Sequence, residues 1–132
     1  MKQTFSKNER LCSPKLIGRL FQRGSSEVHT FYLFPFRVLY IYDPQQASQP
    51  TQVLFSVSKR QFKKAVDRNL IRRRCREAYR LHKALLYTDP DLGRPSYVAF
   101  LYLAKDISTF SVIDTSMQKL LVRLRPNTNG RP

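Results

Sequence analysis

Apolar positions recur with helical spacing at both ends of this chain and with strand-like density in its middle. Leu16, Ile17, Leu20 and Phe21 form one face of a short helix. Ser13 before Pro14 supplies a capping hydroxyl and a ring with no N–H to satisfy, and Gly24 is a matching stop. Phe31 to Tyr42 is rich in aromatic and β-branched residues and reads as a strand, with Pro35 marking its edge, a bulge or its true start. After the polar connection DPQQASQPTQ, Val53 to Lys59 alternates, with Val53, Phe55 and Val57 on one face, and is expected to pair antiparallel with the strand before it. A helix dense in Lys and Arg follows, ending near Leu86, and TDPDLGRPS breaks any continuation. Tyr97 to Ala104 is a nearly unbroken apolar run suited to a mid-sheet strand. Ile113, Met117, Leu120, Leu121 and Leu124 then mark a last helix stopped by Pro126. The pattern predicts a single α+β sandwich in the order α-β-β-α-β-α over residues 1–125, with 126–132 a loose tail.

The basic helix carries the strongest signal. Drawn at 100° per residue, Arg72, Arg76, Arg80 and Lys83, with Asn69 and Arg73 beside them, fall in one arc opposite Ile71, Cys75, Ala78 and Leu85. Arg68 and Tyr79 border that arc, and Arg74 lies toward the apolar side, so its stem must extend out of the core. A merely solvated face usually interleaves both signs of charge, and this arc reads as free of acids. Such a face suits a polyanion, and its preference for Arg over Lys suits forked contacts to phosphate. Lys59, Arg60, Lys63 and Lys64 extend the charge up to the helix start, where backbone N–H groups also favour anions.

Composition agrees. The net charge is +15 with a pI near 10.4, while 42% hydrophobic residues are too many for an intrinsically disordered chain. Nucleic acid is therefore the expected partner, ahead of an acidic membrane surface, and the longest apolar stretch, FYLFPFRVLYIY, is interrupted by Pro35 and Arg37 and is too short to span a bilayer. Cys12 and Cys75 stand in no metal-ligand or disulfide spacing and read as reduced, Cys75 as buried and inert. The N-terminus lacks the apolar core of a signal peptide, so the expected location is cytoplasmic. A catalytic site of protein residues is not legible: His29 and His82 stand apart, with His82 read as a packed imidazole, and there is no paired-carboxylate cluster or glycine-rich loop.

At SVSKRQFKKAVDRNLIRRRCREAYR the chain closely resembles the protein component of bacterial ribonuclease P. FSKNERL near the N-terminus and LFQRG at the end of the first helix support the resemblance. The resemblance implies a left-handed β-α-β crossover around the basic helix. It also implies a non-catalytic protein subunit of a tRNA 5′-maturation endonuclease, in which an RNA subunit and its magnesium ions perform the hydrolysis. The implied partners are that catalytic RNA and precursor tRNA, with no protein partner required. The family's Arg-Asn-Arg motif maps onto Arg68, Asn69 and Leu70, so its third position departs here, and Arg72, Arg73 and Arg76 match the basic positions that follow. The implied RNA-binding set is Lys59, Arg60, Lys63, Lys64, Arg68, Asn69, Arg72, Arg73, Arg76 and Arg80. A cleft between the first helix and the sheet, lined by Ile17, Phe21, Val38 and Tyr40, is implied to hold the single-stranded leader. From periodicity alone Phe21 favours the core and Tyr40 is even. Composition also permits a structural ribosomal protein, and a nuclease in its own right is the third alternative.

Overall fold

The structure is a computed structural model that describes residues 5–46, 49–87 and 94–124. Ser13 accepts a long hydrogen bond from the Leu16 N–H and starts helix α1 at Pro14–Leu20. The loop after α1 turns through Gly24, whose φ of 73° is the left-handed conformation that a residue without Cβ adopts at least cost. Strands β1 (His29–Leu33) and β2 (Phe36–Ile41) follow, then β3 (Gln52–Val57), helix α2 (Ala65–His82), β4 (Tyr97–Tyr102) and helix α3 (Phe110–Leu124).

Two expectations need correction. The stretch from Phe31 to Tyr42 is not one strand but a hairpin. Phe34 and Pro35 form its turn, and Leu33 faces Phe36 in the closing pair. Proline has no N–H to give a ladder, so the chain reverses there instead of continuing. The strand that contains Val53 also does not pair with the strand before it. The sheet order is β1-β2-β4-β3, with β4 antiparallel to β2 and parallel to β3. β4 is buried along nearly its whole length, so it takes the centre, where both faces are covered. β3 reaches its partner through α2, the β-α-β unit that a parallel pair requires.

Strand alternation divides the sheet into two faces. Phe36 and Val38 on β2, Val53, Phe55 and Val57 on β3, and Val98, Phe100 and Tyr102 on β4 point into the larger core. There they meet Ile71, Cys75 and Ala78 of α2 and Ile113, Met117, Leu120, Leu121 and Leu124 of α3. Tyr79 is also wholly buried and not on the helix border, because the N-terminal segment folds over it and Phe5 meets its ring edge-on at 5.8 Å. The same segment shields the edge of β3, where the Leu11 N–H donates to the Val53 carbonyl at 2.9 Å. On the opposite sheet face α1 presses Leu20, with Leu16 and Ile17, against Leu39, Ile41, Tyr97 and Ala99.

Candidate nucleic-acid interface

Helix α2 packs its Ile71, Cys75, Ala78 and Tyr79 side inward, which leaves its arginine side outward. Lys59, Arg60, Lys63, Lys64, Arg73 and Arg76 are all exposed, and among the described residues none of them forms an ion pair. Lys64 caps the helix without a side-chain acceptor, so the first-turn N–H groups add to the positive potential that Lys63 and Lys64 create. Arg72 is held 2.7 Å from the Asn69 side-chain oxygen, which aims two members of the predicted set from adjacent turns. The Arg68 guanidinium turns back to donate to the Phe62 and Lys63 carbonyls at 2.8 and 3.0 Å. It thereby fixes the path of the cationic loop into the helix. Arg74 extends from the apolar side and donates to the Ser108 carbonyl at 2.7 Å, tying α2 to the loop before α3.

Two members of the predicted arc behave differently. Lys83 is buried, its ammonium 2.7 and 2.8 Å from the two carboxylate oxygens of Glu9, so it belongs to the interior. Periodicity could not reveal this, because the partner comes from 74 residues away. Arg80 is chelated by Glu77, three residues before it, at 2.6 and 3.0 Å. That bond holds the Glu77 carboxyl below and the Arg80 guanidinium above their usual pKa ranges, so the arc is not acid-free at its C-terminal end. The uncompensated charge concentrates in the loop before α2 and along the helix as far as Arg76.

The predicted leader-binding residues are split by the sheet. Ile17 and Phe21 belong to the α1 side, and Phe21 at the helix end is 43% exposed. Val38 and Tyr40 point to the other face, with Val38 wholly buried in the larger core and Tyr40 packed against it. One cleft therefore does not contain all four: residues 38 and 40 share a pleat, and α1 covers the pleat of Leu39 and Ile41. The residues that do share the α1 face are those paired across it, Tyr32 with Arg37 and Arg37 with Leu101. α1 covers only the Leu39 and Ile41 end, which leaves Tyr32 57% exposed and Arg37 exposed. Sequence reasoning missed Tyr32 and Arg37 because their face follows from the hairpin, which the unbroken strand concealed.

Chemistry within the protein itself is sparse. Cys75 is buried and its thiol is pushed up to about 12 by desolvation, against a weaker opposing pull from Arg76. His82 sits 2.8 Å from an Asp114 carboxylate oxygen and joins α2 to α3. Among the described residues no three His, Cys, Asp or Glu side chains converge as metal ligands. No helix among them is long and apolar enough to cross a membrane.

Comparison with known proteins agrees with this architecture. The family model described as Ribonuclease P matches residues 5–125. The ribonuclease P protein component of Porphyromonas gingivalis is 36% identical over 124 residues, covering 92% of this chain and 87% of that protein. The protein of the same description from Chlorobium phaeobacteroides is 35% identical over 127 residues, covering 90% and 86%. The solved structure of the Staphylococcus aureus RNase P protein superposes with a TM-score of 0.66 at 23% identity, covering 87% of this chain and 94% of that one. That likeness bears on the fold alone.

Proposed function

Because the chain belongs to the ribonuclease P protein family, a component of a ribonucleoprotein tRNA-processing enzyme, we propose that it binds the catalytic RNA through α2 as far as Arg76 and the loop before it, and holds the 5′ leader of precursor tRNA beside α1. The observation that carries this reading is the run of exposed cations from Lys59 to Arg76 on one side of a helix whose other side is core. Six exposed cations that form no ion pair among the described residues repel one another, and phosphates relieve that repulsion while releasing counterions.

The leader site combines Ile17 and Phe21 of α1 with Tyr32, Arg37 and Leu101 on the half-face of the sheet that α1 leaves uncovered. Aromatic rings beside a guanidinium accept any splayed base, which suits a leader of variable sequence. The protein's part is binding and orientation. In this reading magnesium would be held mainly by the RNA.

Purifying the tagged protein from cells and sequencing the RNA bound to it tests the reading. One large non-ribosomal RNA together with precursor tRNA is the expected result. Recovery of ribosomal RNA, or of no RNA, would overturn it. Incubating the protein alone with precursor tRNA tests the nuclease alternative, and no cleavage is expected.

A further inference from the structure

Four aromatic rings and one guanidinium line up on the sheet face opposite α1, at the outer strand. The His29 ring stacks on Tyr40 with centroids 5.2 Å apart and planes 25° from parallel. Tyr42 meets both rings edge-on, at 5.7 Å from His29 and 5.8 Å from Tyr40. Phe31 continues the row at 5.9 Å from Tyr40, and the Arg123 guanidinium from the last turns of α3 lies 4.1 Å over the Phe31 ring. Packing explains the inner members, since Phe31 and Tyr40 lean on the larger core. The outer members present ring surface to solvent: His29 is exposed and Tyr42 is 41% exposed.

We infer that this strip, His29, Tyr40 and Tyr42 with Phe31 and Arg123, is a second site for unpaired RNA, and that its occupant is an unpaired stretch of the catalytic RNA. The inference rests on the RNA-binding reading of α2. Rings already held edge-to-face and stacked lose little freedom when a base joins them, and an arginine over the last ring places positive charge where a phosphate would run. The choice of RNA follows from the faces. The leader's proposed place is on the α1 side, whereas the strip is on the side of the sheet that carries α2 and α3, where the cations face the catalytic RNA. An RNA body docked on α2 can reach the strip on its own side of the sheet, whereas a leader lying beside α1 would have to pass around the β1 edge.

The experiment measures the affinity of the full chain for the catalytic RNA transcribed from its own source, using wild type, His29→Ala, His29→Phe, Tyr42→Ala and Arg76→Ala. His29→Ala and Tyr42→Ala are expected to weaken binding about 5- to 100-fold, the loss of roughly one stacked base. His29→Phe should restore it, because stacking needs the ring and not its charge. Circular dichroism of each variant checks that the domain remains folded. A benzophenone amino acid placed at position 42 should crosslink to unpaired nucleotides of the catalytic RNA. If Arg76→Ala weakens binding while both strip variants bind as wild type, the strip proposal is overturned and the α2 reading stands. If Arg76→Ala also has no effect, the α2 reading falls and takes this inference with it. A crosslink to the precursor leader instead of the catalytic RNA overturns the choice of occupant, as does failure of His29→Phe to rescue.

Discussion

Lys83 and Glu9 form an ion pair inside the protein, with the ammonium bridging both carboxylate oxygens at 2.7 and 2.8 Å and both side chains almost inaccessible. Glu9 also accepts from the Ser6 N–H and hydroxyl at 3.1 Å, so the pair fastens the N-terminal segment across the end of α2. That segment delivers Phe5 to Phe55 and Tyr79, and without it the edge of the core would open to water.

Removing one partner leaves the other charged and buried. Lys83→Ala or Glu9→Ala should therefore each destabilise the domain by about 3–5 kcal/mol. The double variant Glu9→Leu, Lys83→Met should cost markedly less than either single change. Urea denaturation followed by circular dichroism measures all three. Equal, small effects from the single changes would show that water reaches the pair.

The two cysteines should differ sharply in reactivity. Cys12 is exposed, whereas the Cys75 thiol is buried and pushed up to about 12. A thiol reagent at mildly alkaline pH is expected to label one cysteine in the native protein and two after denaturation. The linkage has a definite sign: folding favours the neutral thiol, so below the ordinary value of 9.0 both states hold the proton and Cys75 leaves stability unchanged with pH. Between that value and about 12 the unfolded state ionises first, so the Cys75 contribution to stability should fall as pH rises. Rapid labelling of both thiols in the native protein would contradict the packing of α2.

Binding to the catalytic RNA should be steeply salt dependent. With roughly 6–10 phosphate contacts, affinity should drop on the order of 10³ to 10⁵ between about 50 and 200 mM salt. Arg73→Ala or Arg76→Ala should lower both affinity and salt slope while leaving the fold intact, since both side chains are exposed. Arg80→Ala should matter less because Glu77 already chelates that guanidinium, and Glu77→Gln should tighten binding by removing a negative charge from the cationic side of α2. A flat salt profile, or unfolding of Arg76→Ala, would contradict this orientation of α2.

Local signals carried much of this architecture. The spacing of Ile71, Cys75 and Ala78, and of Ile113 through Leu124, gave the inward sides of α2 and α3 because a helix face is a property of neighbours in sequence. The alternation of Val53, Phe55 and Val57 gave the inward face of β3 for the same reason. What stayed hidden depended on distant partners. Pairing of β3 with β4 and not with β2, burial of Lys83 by Glu9, and burial of Tyr79 beneath Phe5 are all contacts between remote segments. The sequence groups Val38 and Tyr40 with Ile17 and Phe21, whereas the structure puts them on the face opposite α1, because a hairpin read as one strand gives no sign of which pleat α1 covers. The loose tail expected over 126–132 and the stop expected at Pro126 lie outside the described residues.

Separation of the two sheet faces makes a test that the unbroken-strand reading would have failed to specify. If the leader lies beside α1, then Phe21→Ala and Tyr32→Ala should each weaken precursor tRNA binding to the reconstituted holoenzyme by ~1 to 3 kcal/mol, the stacking contribution of about one base. Mature tRNA, which has no leader, should bind these variants as it binds wild type. Both side chains are substantially exposed, at 43% and 57%, so their loss should leave the domain folded. Val38→Ala should do the reverse: the side chain is wholly buried, so the change should cost about 1.5–3 kcal/mol of stability and leave the preference for precursor over mature tRNA intact. The measurement is a pair of affinities, with and without leader, for each of the four holoenzymes, alongside a urea melt of each protein. If Phe21→Ala and Tyr32→Ala weaken both RNAs equally, the exposed rings contact something other than the leader. If Val38→Ala alone removes the preference, the leader lies on the other face of the sheet.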